Sequence, residues 1–130
     1  MKLVLSFVLL VQFAVNAIEP KLIAALIQVE SSGRDHVTGA GGKAIGALQI
    51  HVEMVHDVNR LCGTSYTHKE MSDRAKAVDV CKKYLAYYGS EKRLGKKPTL
   101  QDYARIWNGG PSGWKRKATQ GYWAKVRRHL

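Results

Sequence analysis

The sequence predicts a mainly α fold with little or no sheet, built as one domain. Apolar residues recur at the three- and four-residue spacing of helices, and glycine-rich turns separate those runs. Hardly any stretch alternates apolar with polar residues as a half-buried strand does. A chain of 130 residues can close a hydrophobic core without a metal or many cross-links.

The first segment is set apart from that core. Lys2 is followed by the apolar run LVLSFVLLVQFAV and then by Asn16 and Ala17, with Val15 and Ala17 in the small-residue positions of a cleavage site. Residues 1–17 read as an export signal cut after Ala17, leaving 18–130 as the folded domain. The run is short for a membrane span, which wants about 20 apolar residues, so a retained anchor is the lesser alternative.

The first helix opens at Glu19 and Pro20, proline standing in the first turn where its missing N–H costs nothing. Its buried stripe runs through Leu22, Ala25, Leu26 and Val29, and it ends at Ser32 and Gly33. The loop RDHVTGAGGKAIG follows. Its four glycines offer only a weak phosphate cradle, because no GK[ST] follows and no strand plainly precedes it. The region 36–50 has room for a strand or two. A short helix is expected from His51 to Asn59, then a turn-rich stretch containing Cys62. A longer helix runs from Ser72 or Asp73 to Gly89, with Val78, Cys81, Leu85 and Tyr88 on one stripe. Thr99, after Pro98, caps another helix whose apolar residues are Tyr103, Ala104, Ile106 and Trp107. The last helix comes after the loop NGGPSG and carries Tyr122, Trp123 and Val126.

Cys62 and Cys81 are the only cysteines, and an even count in an exported chain predicts one disulfide, clipping the loop at Cys62 to the helix at Cys81. The five histidines form no i, i+4 pair and no cysteine couplet accompanies them, so neither a metal site nor a cofactor is expected. The net charge of +11 points to polyanionic surroundings. The basic residues are dispersed, from Lys82 and Lys83 to Arg127 and Arg128, without a nucleic-acid-binding signature. With an export signal, an anionic envelope is the better partner than nucleic acid, and a monomer is the default.

Glu30, in ALIQVESSG, is the residue most suggestive of chemistry. It sits at the C-terminal, negative end of a helix, beside the apolar Ile27 and Val29, and both circumstances disfavour its charged form. Most glutamates in a last helical turn are solvated surface groups. One kept protonated suits a general acid that gives a proton to a glycosidic oxygen, a role for which such groups are tuned to roughly pKa 6.

Three segments, ALIQVESSG, AIGALQI and RIWNGGPSGW, with GYWAKV after them, stand in order across Leu22 to Val126. In this the chain resembles the soluble lytic transglycosylase domain of the lysozyme-like superfamily. The resemblance implies that superfamily's fold and an enzyme acting on peptidoglycan glycan strands. Glu30 matches the family's catalytic glutamate, and Ser31 and Gly33 match the small residues after it. Gly46 and Gln49 match the G and Q of a motif usually written GLMQ, with Ala47 and Leu48 replacing leucine and methionine. Asn108 matches the asparagine of a YN motif whose tyrosine is here Trp107, so one hydroxyl is missing. Tyr122 matches a late tyrosine that donates to the catalytic glutamate. The resemblance thus implies Glu30 as catalytic, with Ser31, Gly46, Gln49, Asn108 and Tyr122 around the substrate.

A glycosidase usually pairs two carboxylates, about 5 Å apart if retaining and roughly 6.5–9.5 Å if inverting. Asp35 and Glu53, the nearest in sequence to Glu30, fall in no family motif. The family's reaction needs no second carboxylate, because the sugar's own N-acetyl group and 6-hydroxyl replace water and give a 1,6-anhydro end. Alternatives are a goose-type-like lysozyme hydrolysing the same bond with Asp35 as water-positioning group, a non-catalytic wall-binding module using Trp107, Trp114 and Trp123, and a cationic membrane-active protein.

Overall fold

The computed structural model describes residues 14–130. The export signal assigned to 1–17 therefore lies, as far as residue 13, outside the described residues. Helix α1 (Pro20–Ser31) begins at the proline and buries Leu22, Ile23, Ala25, Leu26 and Ile27. It stops one residue earlier than its glycine suggests. Ser32 itself takes the left-handed conformation, φ 55°, and its N–H donates to the Gln28 carbonyl.

The segment that had room for strands forms a minimal hairpin, β1 (Thr38–Gly39) antiparallel to β2 (Ala44–Ile45), with Thr38 opposite Ile45 and Gly39 opposite Ala44. A bridge from Ile45 to Ile50 folds the next residues back on it. Helix α2 (Val52–Cys62) runs three residues past the expected Asn59. The Asn59 side chain serves the following loop instead of ending the helix: its Nδ2 donates to the Tyr66 carbonyl and its Oδ1 accepts from the Tyr66 N–H. Helix α3 (Arg74–Tyr88) starts at its cap Asp73, which accepts from the Lys76 N–H. Helix α4 (Glu91–Leu94) is a single turn that the sequence did not announce. Thr99 and Asp102 form a capping box at the head of α5 (Leu100–Gly109). Two short 3-10 turns, Gly113–Lys115 and Lys117–Thr119, then lead into α6 (Gln120–Arg127).

Helix α5 is the hub, packing against α1, α3 and α6. Fully buried Leu22, Leu26, Leu48, Leu85, Ile106 and Val126 draw the core from each of these helices and from the loop after β2. A buried polar knot ties the loop after α5 back to that helix. Arg105 donates through Nε to the Thr119 hydroxyl at 2.8 Å and through a terminal nitrogen to the Arg116 carbonyl at 2.7 Å. Among the described residues no helix is long and apolar enough to cross a membrane.

The expected disulfide is not formed; Cys62 and Cys81 are free thiols. Cys81 is fully buried, on the side of α3 that faces α1 and Glu30, whereas Cys62 lies beside Asp79 and Lys83. The two thiols thus have different surroundings, one enclosed and the other beside a charged pair.

Candidate active site

The last turn of α1, the hairpin loop, the start of α2 and the end of α5 enclose a cleft of about 430 Å³. Glu30, Gln49 and Asn108 all line it, three residues widely separated in the chain that the sequence motifs had associated. Glu30 arrives there because the apolar stripe of α1 is buried and the helix ends one residue later, turning the carboxylate to the core's edge. Burial raises its pKa above the ordinary value, and a hydrogen bond from Tyr122 works in the opposite direction. The Tyr122 hydroxyl donates to Glu30 Oε2 at 2.8 Å, across 92 positions of sequence. Burial and the adjacent Glu30 carboxylate push the Tyr122 phenol upward, so it stays a donor. With Oε2 engaged, Oε1 is the oxygen left to carry or receive a proton.

Gln49 has an unusual backbone, φ 50°, a conformation that costs a non-glycine residue energy and that the surrounding hydrogen bonds hold in place. Its side-chain Nε2 donates to the Val37 and Gly46 carbonyls at 3.3 and 3.0 Å. The amide is thereby fixed with Oε1 over Gly39, whose missing side chain leaves the space. Asn108 is exposed at the end of α5, next to the buried Trp107.

Two motif residues expected at the substrate are placed elsewhere. Ser31 is 3% exposed; its hydroxyl donates to the Ile27 carbonyl and accepts from the Arg34 N–H, closing the end of α1. Gly46 is buried with φ 84°, and a Cβ there would run into the Met71 carbonyl. Both shape the walls and do not line the cleft.

The sequence reading missed His51, Glu53, Met54 and Tyr84, which also line the cleft. The only available signal was the position of His51 and Glu53, two and four residues after Gln49. Tyr84 packs edge-on against Trp107, with ring centres 5.7 Å apart, and its burial pushes the phenol up to about 12. Asp35 is paired with Arg74 at 2.6 Å and does not line the cleft, so the water-positioning role considered for it has no geometric support. Trp107 is 5% exposed and shows only that margin to the cleft it lines, and Trp123 packs against the core. Trp114 has the ammonium groups of Lys96 and Lys115 at 5.8 and 5.5 Å from its ring centre.

The sequence pattern of the transglycosylase SLT domain matches residues 12–127. The chain belongs to that family. No curated protein matches the chain. As an SLT domain it has the mainly α, lysozyme-like fold and a lytic transglycosylase-family role on peptidoglycan, which such domains meet in the periplasm or the extracellular space.

Proposed function

We propose that the protein is a peptidoglycan lytic transglycosylase, cleaving the β-1,4 bond between N-acetylmuramic acid and N-acetylglucosamine with Glu30 as acid and then base. The observation that carries this reading is the half-buried Glu30 carboxyl, raised by burial and gripped on one oxygen by Tyr122, in a cleft it shares with Gln49 and Asn108. Glu30 gives its proton to the bridging oxygen as the C1–O bond breaks, while the N-acetyl oxygen of the muramic residue supports C1. The resulting Glu30 carboxylate then takes the proton of the 6-hydroxyl, and O6 bonds to C1. The nucleophile is already part of the bound sugar, so the second step has the proximity advantage of a unimolecular reaction. Gln49, its nitrogen committed to backbone carbonyls, presents Oε1 as an acceptor for a sugar hydroxyl or amide N–H. Export from the cytoplasm, with residues 1–17 as the signal, belongs to the same reading.

Digestion of purified murein sacculi with the fragments weighed is the test. Fragments one water lighter than hydrolysis products are expected; ordinary reducing ends would sink the proposal. One observation favours a second outcome, lysozyme-like hydrolysis: Glu53 places another carboxylate on the cleft wall. If Glu53 holds a water, the Glu53→Gln variant loses hydrolytic product. If it does not, its product spectrum is unchanged.

A further inference from the structure

The charge of this chain is divided very unevenly. None of its ten acidic residues lies after Asp102, while seven of its 21 basic ones do. The segment 103–130 therefore carries seven of the eleven net positive charges. Arg105 is consumed internally, in the buried knot with Thr119 and Arg116. The other six, Lys115, Arg116, Lys117, Lys125, Arg127 and Arg128, are all exposed, and none has a carboxylate partner among the described residues. Elsewhere six surface cations, Lys21, Arg60, Arg74, Lys76, Lys83 and Lys96, each hold an acidic side chain.

The two 3-10 turns pack on each other and on α5, and the second also packs on α6, so these six cations are carried by neighbouring elements. Of these elements α5 lines the cleft, through Trp107 and Asn108. Gly110 lines it, and the Gly113 N–H donates back to the Gly110 carbonyl, so Lys115 follows directly from the cleft wall. Helix α6 supplies Tyr122 to Glu30 and, three residues on, Lys125. The buried knot fixes this face relative to the cleft without using the exposed charges.

We infer that this cationic face is a docking surface for the peptide carboxylates hanging from the glycan strand that occupies the cleft. The inference rests on the peptidoglycan reading above. Continuity decides the occupant: a strand passing Asn108 and Gly110 brings its own lactyl-linked peptides, each ending in free carboxylates, onto Lys115–Lys117 and the end of α6. Arginine forks at Arg116, Arg127 and Arg128 suit carboxylates, which they bind through two parallel hydrogen bonds. Exposed charges of one sign also act across roughly 8–10 Å of salt solution, so the face draws anionic polymer toward the cleft.

The test is co-sedimentation of full-length Glu30→Gln protein, which binds without turnover, with sacculi first stripped of phosphodiester polymers. Added Lys125→Gln, Arg127→Gln and Arg128→Gln substitutions, exposed at the chain end, are expected to weaken binding about tenfold at low salt, with circular dichroism checking the fold. Lys115→Gln with Lys117→Gln is a second set with the same expected direction. On sacculi whose carboxylates have been capped as neutral amides with a carbodiimide and methylamine, the variants and their parent are expected to bind alike and with little salt dependence. Equal binding of parent and variants to peptide-bearing sacculi overturns the inference. So does a salt-sensitive difference that persists on the amide-capped sacculi, or one that disappears once phosphodiesters are stripped. A hydrolytic product in the digestion assay would sink the transglycosylase reading while leaving this binding result intact.

Discussion

Glu30 must hold a proton in order to donate it, and its setting favours that state through burial more than Tyr122 opposes it. Glu30→Gln is expected to lower kcat on sacculi by about 10²–10⁴-fold, the usual contribution of a positioned general acid. The same substitution should raise stability near neutral pH. A carboxyl whose pKa is raised on folding binds its proton more tightly in the native state, so native stability falls as pH climbs from the ordinary value of 4.5 through the raised one. Thermal melts of parent and variant should therefore coincide in acid below that value and separate above it, with the variant melting higher. Tyr122→Phe removes the donor that favours the carboxylate, so Glu30 should move further up. The alkaline limb of kcat/KM against pH then shifts to higher pH, an outcome that simple loss of packing would not produce. At this scale the sequence was informative where a motif tied a residue to chemistry: Glu30, Gln49 and Asn108 do share a cleft, and Tyr122 does reach Glu30. It misled at Ser31 and Gly46. Their presence in the motifs reflects a helix end and a tight backbone approach, and a motif does not distinguish shaping a wall from touching a sugar.

The hairpin and its flanking loop are where an element, more than a side chain, sets the site. Gly39 and Gly46 look alike in sequence, yet an alanine at each should fail differently. Gly39 has an extended backbone that any residue adopts, and a Cβ there meets only the Gln49 side-chain oxygen. Gly39→Ala should fold almost normally and raise KM about two- to tenfold, the value of one net hydrogen bond, as Gln49 is pushed from its seat. Gly46 has φ 84° and faces backbone, the Met71 carbonyl, which cannot swing away. Gly46→Ala should cost about 2 kcal/mol or more in a denaturant titration, from strain and overlap together. If both variants fold equally well and only affinity changes, the shaping role assigned to Gly46 is wrong. Helices with a cap and a periodic stripe, such as the one from Asp73 and the one from Thr99, were legible because each signal is local. The long end of α2 was not, because Asn59 is recruited by Tyr66 across a loop. Glu53 was set aside for lying in no motif and Tyr84 was not considered, for a related reason: their presence at the cleft depends on how α2 and α3 pack.

At the scale of the whole molecule, stability comes from one continuous core spanning α1 to α6, with no covalent clip among the described residues. Cysteine count and an export signal argued for a disulfide, and neither carries information about how the thiols are placed in the fold. Cys81 lies in the core near Glu30, where burial drives its thiol well above the ordinary value, and Cys62 is half-buried near Lys83 and Asp79. A bond between them needs Cα atoms within about 7 Å and Cβ vectors that converge. Val55 and Val58, buried on the same helix as Cys62, hold α2 in place against the core. Protein purified from an oxidising compartment should therefore melt at the same temperature with and without a reductant. In the native state a maleimide should label Cys62 slowly and leave Cys81 untouched, whereas both label in denaturant. A melting temperature lowered by reductant, or a native protein without any free thiol, would mean that α2 and α3 pack so as to join the two sulfurs. Cys81 is near enough to Glu30 for their charges to interact, so such a repacking would also alter the surroundings that keep the acid protonated, and this labelling experiment tests the electrostatics of the cleft as well as the packing of the core.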